Sequence, residues 1–255
     1  MPVLFYLLAS LSLFQDNYWS TALQQQLFNQ DSGAIALSFS HQVGADSLVL
    51  GKQYVNPFGE SFTVHKFKYY VSHIALHGGE NDGTYISPEH FLINESVDSS
   101  KTIRLKVPTG NYAGISFLIG VDSIDNVSGA QTGTLDPIND MFWTWNTGYV
   151  MAKLEGTSAA STLPRRMFEY HIGGYDGKYN SLQRIFLAFK QKETFHITEN
   201  TRSNINIVTD LNYWFTGTED LKISDTPACT SAGPLAKRYA ENYKEMFSLK
   251  SILAY

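Results

Sequence analysis

The sequence has little of several things, and each shortage excludes a class of protein. It contains one cysteine, Cys229, so an internal disulfide is excluded. Charged residues make up only 17% of the chain and form no run of Lys or Arg, and the net charge of -5 argues further against a nucleic-acid-binding surface. There is no phosphate-binding glycine loop with its lysine and no Gly-x-Ser-x-Gly motif, so nucleotide binding and hydrolase activity are not expected.

The amino-terminal residues differ in composition from the rest of the chain. Residues 1–14 form an apolar run as long as the hydrophobic part of a signal peptide, and this run is too short to span a bilayer. We therefore interpret residues 1–16 as a signal peptide and the polar residues 17–33 as a linker. Residues 34–255 are then a single domain in the periplasm or outside the cell, with no stable membrane span.

Alternation of apolar and polar residues predicts a protein built from strands. Ile35, Leu37 and Phe39 alternate with small residues, and many similar short stretches follow, separated by Gly, Pro and Asn. A helical spacing occurs only after Pro234. Because strands and helices do not alternate, we predict an all-β fold, an antiparallel immunoglobulin-like β-sandwich with long loops and a short C-terminal helix.

The segment from Met141 to Tyr149 is the richest in aromatic residues. If it is extended, Met141, Trp143 and Trp145 lie on one face, so that two indoles are neighbours. Two core tryptophans are the simpler interpretation of such a pair. The polar loop before the segment, together with His41 and His171 at the ends of two other predicted strands, indicates a binding site instead.

Seven histidines make a metal ion the main candidate ligand. His73 and His77 are four residues apart, a spacing that aligns two ligands on a helix, whereas a strand is predicted there. The aspartates of the loop 122–140 lack the spacing of a calcium loop. His41 and His171 lie beside aromatic residues at strand ends and remain the candidate ligands. Three others have polar neighbours and are expected at the surface: His65, His90 and His196.

Several short motifs occur in a fixed order along the chain. They are Phe39-Ser40-His41-Gln42-Val43-Gly44, Lys68-Tyr69-Tyr70-Val71-Ser72, Gly120-Val121-Asp122-Ser123, Gly133-Thr134-Leu135-Asp136-Pro137, the segment 141–149, Leu154-Glu155-Gly156 and Tyr170-His171-Ile172-Gly173-Gly174. In this order they resemble the MbnP-like periplasmic copper-binding proteins, over most of residues 34–210.

The resemblance implies a secreted β-sandwich that binds one copper ion through histidine nitrogens. It also implies a tryptophan oxidised to kynurenine, and as partner a diheme enzyme of the cytochrome-c-peroxidase type that performs the oxidation. By position, His41 and His171 match the ligands, and Trp143 or Trp145 matches the modified residue; the motif leaves the choice between the two indoles open.

The donor chemistry is compatible with this resemblance. An intact indole N–H only donates hydrogen bonds, whereas kynurenine offers an arylamine nitrogen and a carbonyl oxygen. Met141 and Met167 could add soft sulfur contacts for Cu(I), although a core position is the simpler interpretation of both, and Tyr149 or Tyr170 could orient a histidine. We expect a protein without enzymatic activity that sequesters or transfers copper. The alternative is a recognition module that binds carbohydrate through exposed aromatic residues.

Overall fold

The computed structural model describes residues 31–78, 84–143, 148–189 and 195–254, which form a β-sandwich. The strands are β1 (Ser32–Val43), β2 (Asp46–Ser47), β3 (Gln53–Val55), β4 (Ser61–Gly78), β5 (Thr84–Ile86), β6 (Phe91–Asn94), β7 (Thr102–Pro108), β8 (Gly110–Ile119), β9 (Phe142–Trp143), β10 (Gly148–Ser158), β11 (Met167–Gly173), β12 (Gln183–Ala188), β13 (Phe195–Ile197), β14 (Arg202–Asp210), β15 (Ala228–Cys229) and β16 (Phe247–Ala254). The α-helices are α1 (Ser123–Val127), α2 (Asn212–Phe215) and α3 (Pro234–Tyr243).

The smaller sheet is built around β1. Its neighbours are β14, which runs parallel to it, and β7, which runs antiparallel; β16 pairs with the far side of β14, and β2 forms a hairpin with β1. Along β1, Ile35, Leu37, Phe39 and His41 are buried in alternation with more exposed residues, as the sequence predicts. The buried face of this sheet therefore forms one side of the sandwich core.

The larger sheet has the order β12-β8-β4-β10-β11-β15. The long strand β4 lies near its centre, where Phe67 and Tyr69 point inward and Lys68 points to the other face. Register with β8 shifts between Ser72 and Ala75, and within this bulge His73 has a φ of 48°. Shorter strands extend the sheet at its margins: β3, β5 and β6 on β4, β13 on β8, and β9 on β10.

The predicted all-β sandwich is confirmed, with two differences in detail. The pairs β1–β14 and β11–β15 are parallel, so the sheets are not purely antiparallel. The first strand begins at Ser32, two residues before the predicted start of the domain at residue 34, because Gly33 continues the pairing of β1 with β7. The helix predicted after Pro234 is α3, which packs against β11 and α2.

A second, smaller core lies on the outer face of the larger sheet. The long strands β4 and β10 form this part of the outer face, and the loop 122–140 folds back over it. The cluster beneath it consists of Tyr70, Val121, Leu135, Met141, Trp143, Tyr149, Val150 and Met151. The tryptophan-containing segment is therefore packed outside the main sandwich core.

Within the described ranges, no helix is long and apolar enough to cross a membrane.

Candidate functional site

Trp143 is buried in the second core, but its indole nitrogen has no partner among the described residues. The residue is 3% exposed, and Nε1 makes no hydrogen bond within the described ranges. Its six-membered ring lies over Gly173, where a Cβ would come within 2.3 Å of Cζ3. A buried N–H without a partner costs about 1–3 kcal/mol, so this indole is held in place by packing and not by its polar group.

The segment 141–149 is not one extended strand, and this part of the sequence-based interpretation is wrong. Strand β9 pairs antiparallel with β10, with Trp143 opposite Gly148, so the chain changes direction between these two residues. Trp145 lies outside the described residues, so the predicted shared face of Met141, Trp143 and Trp145 can be described only for the first two. Met141 is fully buried in the same cluster as Trp143.

Two polar side chains attach the covering loop to this hairpin. The Tyr149 hydroxyl donates to the Leu135 carbonyl at 2.9 Å and accepts from the Gln131 amide at 3.2 Å. The Asn126 side-chain oxygen accepts from the Tyr149 amide at 2.8 Å. Tyr149, predicted to orient a histidine, instead holds the loop above Trp143. Phe142 packs edge-on against its ring.

A small cleft opens beside the indole. It has a volume of about 200 Å³ and is half enclosed. It is lined by Trp143, Gly148, Tyr149, Gly174, Tyr175, Asp176 and Ala232. A small ligand or ion could therefore approach Trp143 from this side, past one carboxylate.

His171 lies on the same face of the sheet as Trp143. Its neighbours Tyr170 and Ile172 are buried in the main core, so His171 and Gly173 point to the opposite side, where the Trp143 ring covers Gly173. Nε2 of His171 lies 2.8 Å from a carboxylate oxygen of Glu155. The side chain is 18% exposed, and no hydrogen bond occupies its other nitrogen among the described contacts.

A charged network surrounds His171 and the entry to β9. Burial alone would raise the pKa of Glu155, but hydrogen bonds from His171 and Lys66 outweigh it and lower this pKa to about 2. Lys66 and Lys153 both pair with Asp140, at 2.9 and 3.0 Å. Asp140 has a φ of 60°, and the pKa of its carboxyl is also lowered to about 2 by the two lysines, against the effect of burial. These contacts position the start of the tryptophan segment.

His41 does not share a site with His171, and the structure corrects that expectation. His41 packs against Phe67 and Tyr69, which point into the sandwich, whereas His171 points away from it. Both ring nitrogens of His41 are engaged: Nδ1 lies 2.5 Å from Glu95, and Nε2 lies 2.9 Å from the Tyr69 hydroxyl. The two imidazoles are thus on opposite faces of the larger sheet. The alternation of the sequence predicts which face of its own strand a residue occupies. It does not predict that the larger sheet separates His41 from His171.

Tyr170 also lies away from the tryptophan site. Its ring packs in the main core against Tyr239, at a centroid distance of 4.7 Å, and against Trp214. It cannot orient His171, because adjacent residues in β11 point to opposite faces. Trp143 and Trp214, the tryptophans that the described ranges contain, are both buried, so neither offers the exposed stacking surface that carbohydrate binding requires.

Sequence reasoning missed a cluster of two histidines and two aspartates. His73, in the bulge of β4, has Nε2 3.2 Å from Asp122, and His90, before β6, has Nε2 3.4 Å from Asp125. The side chain of His90 is 10% exposed, and its Nε2 has no hydrogen-bond partner, so the predicted surface position is wrong. Burial lowers the pKa of His90 even though both aspartates act to raise it. Asp122 and Asp125 are neighbours at the start of α1, but His73 and His90 come from other parts of the sequence, and no local spacing links the histidines to the aspartates.

Comparison with known proteins identifies the family. The family model described as MbnP matches residues 32–231. The chain belongs to the MbnP family. The match covers the tryptophan hairpin, His171 and the His73–His90 cluster, and it ends before α3.

The MbnP fold is also found by comparison of structures. The structure of MbnP from Methylosinus trichosporium superposes with a TM-score of 0.51, at 13% sequence identity, over 88% of this chain and 99% of that chain. At this identity the similarity concerns the fold. A search of curated proteins gave no match. Membership in the MbnP family therefore rests on the family match, and the chemistry of the site must be argued from its own residues.

Proposed function

We propose that this MbnP-family protein binds one copper ion beside Trp143, after oxidation of that residue to kynurenine. The observation that carries the proposal is the arrangement around Gly173. A buried indole that has no hydrogen-bond partner in the described part of the chain lies on this glycine, and His171 is two residues away on the same face. A cleft beside the indole gives access from solvent.

Oxidation would convert a group that cannot bind metal into one that can. Two equivalents of hydrogen peroxide, used by a heme peroxidase, add two oxygen atoms across the C2–C3 bond of the indole, which breaks, and two water molecules leave. Hydrolysis then removes formate and leaves kynurenine, with one carbon fewer and one oxygen more than tryptophan. The product presents an arylamine nitrogen and a carbonyl oxygen where the intact indole had only an N–H donor.

The neighbouring residues fit a copper ion. His171 holds Glu155 with Nε2, an arrangement that orients metal-binding imidazoles and leaves the other ring nitrogen as the ligand. Met141, in the same cluster as Trp143, provides the thioether sulfur that Cu(I) favours. Copper is the cargo of this site, and the protein's part is to bind it and release it, without catalysing a reaction.

The proposal places the protein outside the cytoplasm. The apolar residues 1–14 act as an export signal, and the oxidising partner is a diheme enzyme of the cytochrome-c-peroxidase type in the same compartment. The protein would sequester copper there or transfer it to a recipient.

Co-expression tests this function. Protein produced with a diheme peroxidase should contain kynurenine at Trp143 and should bind one Cu(I) at least about tenfold more tightly than protein produced without it, measured by competition with a chromophoric chelator. Tandem mass spectrometry of the peptide 141–149 locates the change. Trp214 is an internal control and should remain unmodified. Like Trp143, it is buried and its Nε1 has no hydrogen-bond partner among the described residues.

Trp143→Phe distinguishes the two indoles of the segment. It should prevent both the oxidation and the gain in Cu(I) affinity. Oxidation at residue 145 alone, or equal Cu(I) affinity with and without the peroxidase, would show that the site is not built on Trp143.

A further inference from the structure

A cluster of four metal-binding side chains lies where α1 meets the bulge of β4. Oxygen or nitrogen atoms of His90, Asp122 and Asp125 all lie within 4.8 Å of one another, and Nε2 of His73 lies 3.2 Å from Asp122. The rings of His73 and His90 are perpendicular, with centroids 6.1 Å apart. Three ligand atoms therefore face one point, and His73 adjoins them through Asp122.

Each carboxylate uses one oxygen for structure and directs the other at a histidine. Oδ1 of Asp122 accepts from the Asp125 amide at 3.0 Å and so caps α1, while its Oδ2 faces His73. Oδ1 of Asp125 lies 3.4 Å from the Gln131 amide group, while its Oδ2 faces His90. Bonds of this kind fix the orientation of ligand carboxylates in metal sites.

The nitrogen-to-oxygen distances match the spacing of ligands around an ion. Metal bonds of about 2.0–2.2 Å place neighbouring ligands of a tetrahedral ion about 3.3–3.6 Å apart. The two His–Asp pairs are separated by 3.2 and 3.4 Å. His90 Nε2 is buried and makes no hydrogen bond, so among the described residues only Asp125, at 3.4 Å, stands close to it as a charged partner.

From this geometry we infer that His90, Asp122 and Asp125, with His73 turning in beside Asp122 as the fourth ligand, form a binding site for a divalent transition-metal ion, with Cu²⁺ bound most tightly. Two imidazoles and two carboxylates are the ligand set of such ions, and for these ligands Cu²⁺ leads the order of affinities. Calcium and magnesium prefer sites made of oxygen ligands alone.

The charge and exposure of the cluster favour a cation. In the described part of the chain, neither Asp122 nor Asp125 pairs with a lysine or arginine, so a bound cation would supply the balancing charge. His90 is the most enclosed member, whereas His73 is 36% exposed and Asp125 is 32% exposed. An ion can therefore enter from the solvent side and reach the buried nitrogen.

This site is independent of the copper site proposed at Trp143. It needs no oxidised residue, and its ligands lie on β4, the loop before β6 and α1, not on β9 or β11. It can therefore be examined in the full chain produced without a heme peroxidase, and a negative result for kynurenine formation would leave it standing.

Titration with Cu²⁺ tests the inference. The unmodified protein should bind one Cu²⁺ with nitrogen hyperfine structure from two imidazoles in its electron paramagnetic resonance spectrum. His90→Ala and His73→Ala should each lower the affinity by at least about 100-fold. Asp125→Asn, which keeps the size of the side chain, should lower it too, while Trp143→Phe should not.

His196→Ala is the matched control, because His196 is exposed on β13 and bonds only to Asn111 among the described contacts. It should leave Cu²⁺ binding unchanged. Thermal unfolding of each variant shows that it is folded before the titration. The inference is overturned if folded His90→Ala and Asp125→Asn variants bind Cu²⁺ as tightly as the native protein, or if the spectrum shows no nitrogen ligands.

Discussion

Replacing Gly173 by alanine should displace Trp143 and destabilise the protein. A Cβ at this position would lie 2.3 Å from Cζ3 and 2.5 Å from Cη2 of the indole, whereas carbon atoms in contact are about 3.5–4.0 Å apart. The ring must therefore move by about 1 Å or more. Since Trp143 is 3% exposed and packed among the second core, this movement disturbs its other neighbours. Overpacking of this kind costs about 1–3 kcal/mol.

Thermal unfolding measures the effect. For a chain of this size 1 kcal/mol corresponds to about 2–4 °C, so the midpoint should fall by about 2–12 °C. Gly233→Ala is the control, because a Cβ there meets nothing within 4 Å. Tryptophan fluorescence should change in Gly173→Ala and not in the control. A Gly173→Ala protein with unchanged stability and fluorescence would show that Trp143 does not lie on Gly173, and would remove the geometry on which the copper proposal depends.

Two further predictions concern Glu155, on the outer side of the larger sheet, and His41, between the two sheets. The pKa of Glu155 is lowered to about 2 in the folded protein, so its stabilising effect is present above its ordinary pKa and is lost as the pH falls from about 5 towards 2. In Glu155→Gln the free energy of unfolding should therefore depend less on pH over this range. An unchanged pH dependence would refute the pairing of Glu155 with His171 and Lys66. His41→Ala removes a buried ring and one of the two partners of Glu95, which keeps Lys101, so it should lower the free energy of unfolding by about 2–5 kcal/mol while leaving copper affinity unchanged in the folded fraction. Loss of copper with normal stability would instead make His41 a ligand.

Much of the fold could be predicted from local patterns. The alternation in β1, the long β4 and the helix after Pro234 all follow from the spacing of apolar residues, because one buried face imposes its period on a strand or helix. The exact pairing could not be predicted this way. The parallel contact between β1 and β14 joins residues about 170 positions apart, and it depends on the whole topology.

The candidate sites, like the fold, could be predicted from the sequence only in part. Trp143, Met141 and His171 are found together by the motifs of the family, and the structure places them on one face. His41 belongs to the same motif series, but its side chain points into the sandwich, where Glu95 and Tyr69 engage it. A motif records which residues occur together in a sequence. It does not record which of them packs the core and which faces a ligand.

Asn126 explains why the missed cluster and the tryptophan hairpin belong to one structural unit. Its side-chain nitrogen donates to the carbonyls of Val121 and Asp122, and its oxygen accepts from Tyr149 in the strand that pairs with Trp143. The residue is 3% exposed, so each of these bonds is shielded from water. An ion held by Asp122 and its neighbours would therefore restrain the same loop that covers the second core. Asp122 and Trp143 are about twenty residues apart in the sequence, and the buried side-chain amide of Asn126 connects the segments that hold them.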